Sequence, residues 1–479
     1  MRRPSWIVLA VCCVAQFMLQ LDVSIVTVAL PAMRGGLHMS GTSIQWVVNA
    51  YTLTFAGLLL LGGRAADLLG RRPVFLAGLG IFTASSLIGG LAQTGGWLVA
   101  ARGAQGIGAA FLAPATLALL TTTFVDPAQR RRAVGAWSAT AASGVAVGVL
   151  VGGIVTDLLG WRWVLFVNVP IGAALLAVAT IALAEPAAPL DRRRLDLLGA
   201  VTATLGLAIL VYGTLEADRR GWGSAATIVT LASGAVVLAA FVAIEGFVAE
   251  HPLVPLNLFR QRGLNAANAT AITVGVAQFG TYVFLSLYLQ RVLGYSPLQS
   301  GLAVLPAGVA TMTGSLLGAA VIARLGPRRQ LALALLLPVI GLFWLSRLGG
   351  HATYLGDILV PSALAGLGFG LSYVPLTTSA TARVPPEQAG LASGLITSAR
   401  QIGGAFGLAA MAAVAQAATR HHLPATTNAL GIGYDRAFML GAASMLAGVL
   451  MATLLPGNAD QREPGREHQP RAAVAPEER

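Results

Sequence analysis

From Trp6 to about Met451 the chain repeats one pattern: a long apolar run, then a short polar connection that usually carries arginine. Each run is long enough to cross a bilayer as a helix, because about 20 residues at 1.5 Å each span the hydrocarbon. The boundaries fall at roughly 6–31, 44–62, 74–93, 97–121, 133–155, 163–184, 196–215, 225–247, 264–290, 299–323, 330–347, 354–381, 391–416 and 435–456, about fourteen spans. The longest connections on the side of the termini, around Glu185–Asp196 and Glu250–Arg262, bracket the seventh and eighth spans. Six spans precede that pair and six follow it. The pattern predicts an all-α integral membrane protein of two six-helix bundles with two extra central spans, as in transporters built from repeats. The N-terminal bundle covers 1–184, a linker with two additional transmembrane helices 185–262, and the C-terminal bundle 263–456. The polar stretch 457–479 reads as a disordered cytoplasmic tail. Repetition is faint at the level of residues: Gly70-Arg71-Arg72 after the second span is echoed by Gly326-Pro327-Arg328 after the tenth, with Ala323 where the first copy has Asp67.

Composition narrows the class. The chain is 56% hydrophobic and 10% charged, against about 25% charged in a soluble protein. It cannot cover a water-facing surface. The net charge of +12 is spread through short loops, a topology signal rather than a nucleic-acid surface. All 31 basic residues are arginine. A phosphate loop and a Schiff-base enzyme each need a lysine, so ATP hydrolysis by the usual route is excluded. About 21 arginines fall on the side of the termini and 8 on the other, which by the positive-inside rule puts both termini in the cytoplasm. The lysine-free, arginine-rich composition is that of a bacterial chain from a GC-rich genome, so the expected location is the inner (cytoplasmic) membrane. Cys12 and Cys13 are neighbours in the first span and point apart on a helix, so they read as packing residues rather than a disulfide. No histidines stand at metal-ligand spacing, and no metal site is expected.

One residue breaks the first apolar run. Asp22 lies well inside it, where a carboxylate costs roughly 2.5–3.5 kcal/mol on insertion scales. Arg102, about five residues into the fourth span, comes to the same depth below the outer surface. Arginine favours the ionised acid and desolvation opposes it, so such an acid can load and release a proton. A static ion pair joining the two spans is the alternative. The loop Gly63-Arg64-Ala65-Ala66-Asp67-Leu68-Leu69-Gly70-Arg71-Arg72 reads as a cytoplasmic turn and gate, whose Gly63, Asp67, Gly70, Arg71 and Arg72 can reach helix ends and latch one half to the other on the inner side. In the fifth span Gly144, Gly148 and Gly152, with Gly153 beside them, form a small-residue stripe for close helix contact. Trp161 and Trp163 stand where an interfacial belt is expected, and Glu245 can snorkel to the cytoplasmic face.

With these segments in view the chain resembles the major facilitator superfamily, and within it the fourteen-span drug:proton antiporters of the QacA/EmrB type. Leu21–Pro31, Gly63–Arg72, Leu98–Ala110 and above all Trp161–Pro170 carry the likeness; Pro297–Gly301 and the segment Gly390 to Gly404 add to it. One departure is that Val149, not proline, follows Gly148. The resemblance implies proton-driven export of small amphiphilic or cationic compounds such as drugs or antibiotics, with Asp22 as the proton site and Arg102 as its regulator. It implies a cavity between the two bundles. Gln16 and Gln20, then Gln45, Asn49 and Thr52, then Gln278 and Tyr282, each share a helix face that can line it. No cofactor is expected beyond the proton motive force. The expected partners are a small-molecule substrate, protons and the lipid bilayer. A monomer is expected, a periplasmic or outer-membrane partner stays open, and nucleic acid is excluded. Val149 leaves room for a proton symporter of a small polar solute. A non-transporting sensor or enzyme is the remote reading, since neither a reactive cluster nor a large soluble domain is present.

Overall fold

Helices occupy the apolar runs, and caps and glycine turns set their ends. In chain order they are α1 (Ser5–Gly36), α2 (Gln45–Leu69), α3 (Arg71–Gly90), α4 (Gly95–Thr123), α5 (Pro127–Leu158), α6 (Trp163–Ala182, interrupted at Val167), α7 (Leu197–Arg220) and α8 (Ala225–Ala243). There follow α9 (Arg262–Arg291), α10 (297–325), α11 (327–345), α12 (Val360–Thr381), α13 (Ala389–Arg420) and α14 (Thr427–Thr453). The computed structural model describes residues 5–40, 43–124, 126–183, 196–249, 252–349, 352–382, 384, 389–420 and 427–455. Most of the 185–196 connection and all of the 457–479 tail lie outside the described residues. Among those described, 13 helical stretches are long and apolar enough to cross a membrane, and α5 adds an apolar half, Val147–Leu158.

Local chemistry accounts for the ends. Thr94 Oγ1 accepts the amide of Trp97 at 3.3 Å to start α4. Asp126 accepts the amide of Gln129 at 2.8 Å, with Pro127 in the first turn of α5. Ser296 and Gln299 bond reciprocally at 3.2 and 2.9 Å at the start of α10, a capping box. Gly70 (φ 95°) and Gly326 (φ 73°) make the tight reversals after α2 and α10, in backbone conformations that a side chain strains. The two reversals stand at the echoed positions. The structure corrects the reading of Gly63–Arg72 as a loop: Gly63 to Leu69 continue α2, Gly70 alone is the turn, and Arg71 and Arg72 begin α3. Helix continues through Asp67 because nothing from Gly63 onward breaks it before the positive-φ glycine. The side chain of Asp67 lies outside those described.

Close glycine contacts reveal a repeat. In the first six helices, α5 runs parallel to α1, with Gly144 on the carbonyl of Phe17 and Gly148 on that of Leu21. Gly106 of α4 lies on Tyr51 of α2, and Gly78 of α3 on Gly108 of α4. The last six repeat the scheme. Gly403 and Gly407 of α13 lie on Ile272 and Val276 of α9, Gly366 of α12 on Ala307 of α10, and Gly368 of α12 on Pro338 of α11. Hence α1–α6 and α9–α14 are two bundles of one design, with α7 and α8 packed on each other through Gly206, Gly213 and Gly234. An even number of crossings returns the chain to the face where it starts; that end is called proximal below, and the opposite end distal. In this register Ala277 of α9 stands where α1 has Asp22.

Candidate functional site

Asp22 is fully buried, and four helices converge on it. Arg102 Nη1 of α4 donates to its Oδ2 at 2.6 Å. Its Oδ1 accepts from Gln105 Nε2 and from Asn168 Nδ2 of α6, both at 2.8 Å. Ser86 Oγ of α3 accepts from the same two amides, at 2.9 and 3.0 Å. Arg102 Nε donates to the carbonyl of Val47 at 3.1 Å, its Nη1 also reaches Gln105 Oε1 at 2.7 Å, and its guanidinium carbon lies 4.5 Å from the centre of the Tyr51 ring. Each polar side chain in the group is at most 2% exposed. Breaking such a pair by removing one partner leaves an uncompensated buried charge, at about 3–5 kcal/mol. Both candidates, Asp22 and Arg102, are thus in one network. Gln105, Asn168, Ser86 and Tyr51 are members that the reading of charged residues alone missed. The signal was present for two of them, since Gln105 falls in Leu98–Ala110 and Asn168 in Trp161–Pro170.

The glycine stripe on α5 serves two neighbours. Gly144, Gly148 and Gly152 face α1, where a methyl group on Gly148 would meet Ser24 Oγ and the Leu21 carbonyl. Gly153 faces the other bundle: a Cβ there would lie 2.8 Å from the carbonyl of Pro297 and 2.9 Å from Cα of Leu298. Gly301 in turn lies on the carbonyl of Val149. The segment Pro297–Gly301 is therefore the partner of the α5 stripe at the distal end. Beside it Gln290 Nε2 of α9 donates to the carbonyl of Val28 at 3.1 Å. Arg72 reaches the carbonyl of Thr180 at 2.9 Å, tying α3 to α6 at the proximal end.

The polar residues proposed for the cavity divide into two sets. On α2, Tyr51 and Thr54 face α4, so Gln45, Asn49 and Thr52 lie on the opposite face. There the carbonyl of Ala56 accepts Ser398 Oγ of α13 at 3.2 Å, so that face is turned to the second bundle. Gln45 Oε1, both amide atoms of Asn49, and Gln16 Oε1 are buried without a hydrogen-bond partner. Gln20 is half-buried along the α5 contact. Gln278 and Tyr282 do have partners inside their own bundle: Gln278 Nε2 donates to Tyr373 Oη at 2.5 Å, and Tyr282 Oη shares a hydrogen with Thr311 Oγ1 at 2.7 Å. Arg400 of α13 lies 4.7 Å over the Tyr373 ring. Arg400 lies seven residues into the Gly394–Thr419 span, where a cation is costly, and a ring contact returns about 0.5–2 kcal/mol.

Two expectations change. Glu245 does not snorkel: it is 4% exposed, in a π turn at Ile244–Val248, and accepts the amide of Val254 at 2.9 Å. The connection that follows α8 folds back over it. Trp161 is buried against Gly36 with Arg162 stacked on its ring at 4.5 Å, so only Trp163, 50% exposed, stands in an interfacial position. A groove of about 440 Å³ lined by Phe343, Trp344, Arg347 and Asp357 shares no residue with the Asp22 network.

Two six-helix bundles, the first with a buried, hydrogen-bonded ion pair in its interior, define a polytopic membrane transporter. The model of the Major Facilitator Superfamily matches residues 12–408, and the chain belongs to that superfamily. It is 44% identical to the cephamycin export protein CmcT of Amycolatopsis lactamdurans, covering 96% of this chain and 94% of that one. It is 40% identical to the puromycin resistance protein pur8 of Streptomyces alboniger (98% and 94%) and 32% identical to the tetracenomycin C resistance and export protein of Streptomyces glaucescens (95% and 85%). Among solved structures, a bacterial homolog of the human lysosomal transporter Spinster, inward-facing and unoccupied, superposes with a TM-score of 0.66 at 17% identity, covering 95% of this chain and 97% of that one. The D-xylose–proton symporter gives 0.66 at 15% identity (94% and 98%). These likenesses show the fold. The chain is a multi-pass membrane transporter, not an enzyme, and its curated relatives are antibiotic and multidrug export proteins.

Proposed function

We infer that the protein is a proton-coupled exporter of small amphiphilic compounds of the antibiotic type, working as an antiporter by alternating access. The observation that carries this reading is the enclosure of Asp22 by three donors from α4 and α6. A proton arriving on Asp22 cancels its charge, removes the ionic partner of Arg102 and frees the amides of Gln105 and Asn168. That rearrangement loosens α1 from α4 and α6, the movement that alternating access needs. Export as the direction is supported by the relatives, which include a cephamycin export protein and a tetracenomycin C resistance and export protein. Gln45 and Asn49 on that face of α2, with Gln16, supply unpaired hydrogen-bonding groups for a substrate between the bundles. The reading places the protein as a monomer in a bacterial cytoplasmic membrane, both termini inside, driven by the proton motive force without a cofactor. Its test is uptake of an antibiotic, such as a cephamycin or puromycin, into inverted membrane vesicles. The expected result is gradient-dependent uptake that Asp22→Asn abolishes. Uptake that survives both this substitution and collapse of the proton gradient would overturn the reading.

A further inference from the structure

The second bundle holds a cation within a membrane span that the Asp22 network does not use. Arg400 is the twelfth residue of α13, about 16 Å from its start. Its backbone carbonyl packs on Gly275 of α9, so this stretch of α13 lies against a neighbour inside the bundle and not on the lipid face. Its guanidinium covers the Tyr373 ring, and among the described residues its side chain has no hydrogen bond and no carboxylate partner. The first bundle offers none, because Asp22 is fully taken up by Arg102, Gln105 and Asn168. The other acids of the described helices lie near helix ends; Asp435, the nearest to mid-span, bonds the amide of Gly349 in the distal turn.

Tyr373 adds a second donor. Its oxygen accepts the amide of Gln278, which leaves its O–H free to donate. Arg400 and Tyr373 thus present only N–H and O–H groups to the half-buried space between α9, α12 and α13. A guanidinium with an adjacent phenol is a receptor for a carboxylate or similar anion, and planar guanidinium matches such groups in bidentate fashion. With Asp22 paired to Arg102, the charge left over inside the spans is that of Arg400.

We propose that Arg400 and Tyr373, with Gln278 as the positioning residue, form the subsite for the anionic group of the transported compound, so that the protein prefers amphiphiles bearing a carboxylate. This rests on the transport reading above and names the substrate class for it. A favoured substrate is then an acid or a zwitterion, and its ester is a poor one.

The test is fluorescence-polarisation binding of a free-acid rhodamine and of its methyl ester to the full-length purified protein. Wild type is expected to bind the acid more tightly than the ester by about tenfold or more, the effect of one charge-assisted hydrogen bond. Arg400→Gln is expected to erase the preference, Arg400→Lys to keep part of it, and Tyr373→Phe, which preserves the ring under the guanidinium, to reduce it. Ester binding should persist in all three, tighter if anything in Arg400→Gln because the ester is a cation, and its persistence reports an intact fold. A wild type that binds neither dye or does not discriminate overturns the proposal, as does a preference that persists in both Arg400→Gln and Tyr373→Phe. Acid binding that follows this pattern without gradient-driven flux in vesicles supports the subsite and counts against the export reading alone.

Discussion

Asn168 of α6 donates its amide to Oδ1 of Asp22 in α1 at 2.8 Å, across 146 positions of sequence. The same amide reaches Ser86 of α3. A single neutral side chain therefore joins the last helix of the first bundle to the acid of the first helix. A hydrogen bond to a charged group contributes about 1.5–3 kcal/mol. Asn168→Leu should cut proton-driven flux by about tenfold or more. A double-mutant cycle with Asp22→Asn, read in the unfolding free energy of the purified protein, should show the two effects to be strongly non-additive; independent effects would mean that this contact does not couple α6 to α1.

Arg102→Ala leaves Asp22 buried with its main counter-charge gone. The loss should be about 3–5 kcal/mol, visible as a lower unfolding temperature of the purified protein. The double variant Arg102→Ala with Asp22→Ala should recover much of that stability while remaining inactive, because neither charge is then left alone.

Gly148 has no room for a side chain. A Cβ there meets Ser24 Oγ and the Leu21 carbonyl, so Gly148→Ala should destabilise by about 1–3 kcal/mol. Adding Ser24→Ala removes the nearest of those atoms and should return part of the loss in the same thermal assay.

Gly153 touches the other bundle, on Pro297 and Leu298. Gly153→Leu should hold the distal ends of α5 and α10 apart and expose the contact between Val28 and Gln290. In a background lacking Cys12 and Cys13, a cysteine replacing Gln290 should label faster with a membrane-impermeant thiol reagent in Gly153→Leu than with glycine at 153. Equal labelling would mean that this contact does not close the distal end.

Gly70 turns the chain at φ 95°. Gly70→Ala should cost about 1–3 kcal/mol, since a side chain strains a positive-φ backbone with extended ψ, and Gly326→Ala should do the same at the repeated turn. The comparison tests whether the two reversals bear equal weight.

Helix number, order and the pair of extra spans were legible in the sequence because they depend on length and hydropathy, which are local. The partnership of Asp22 with Arg102 was legible for a similar reason: a carboxylate and a guanidinium in apolar runs are each costly, and counting residues puts them at one depth. Gln105, Ser86 and Asn168 were not legible. An amide or hydroxyl in a membrane helix carries a small penalty, and its role depends on which helix faces it. The sequence likewise showed the stripe from Gly144 to Gly153 but not that its last glycine serves the other bundle. Adjacent residues on a helix point about 100° apart, and only the packing of α5 between α1 and α10 assigns each direction a neighbour. Arg400 had the same ambiguity. In one dimension it is a charge near the start of an apolar run; in three it is a guanidinium on a tyrosine ring with no carboxylate partner among the described residues. The chain alone determined a fourteen-helix transporter with one deep acid, and tertiary packing alone decided which neutral groups hold that acid and where, among the described residues, a second charge stands without a carboxylate.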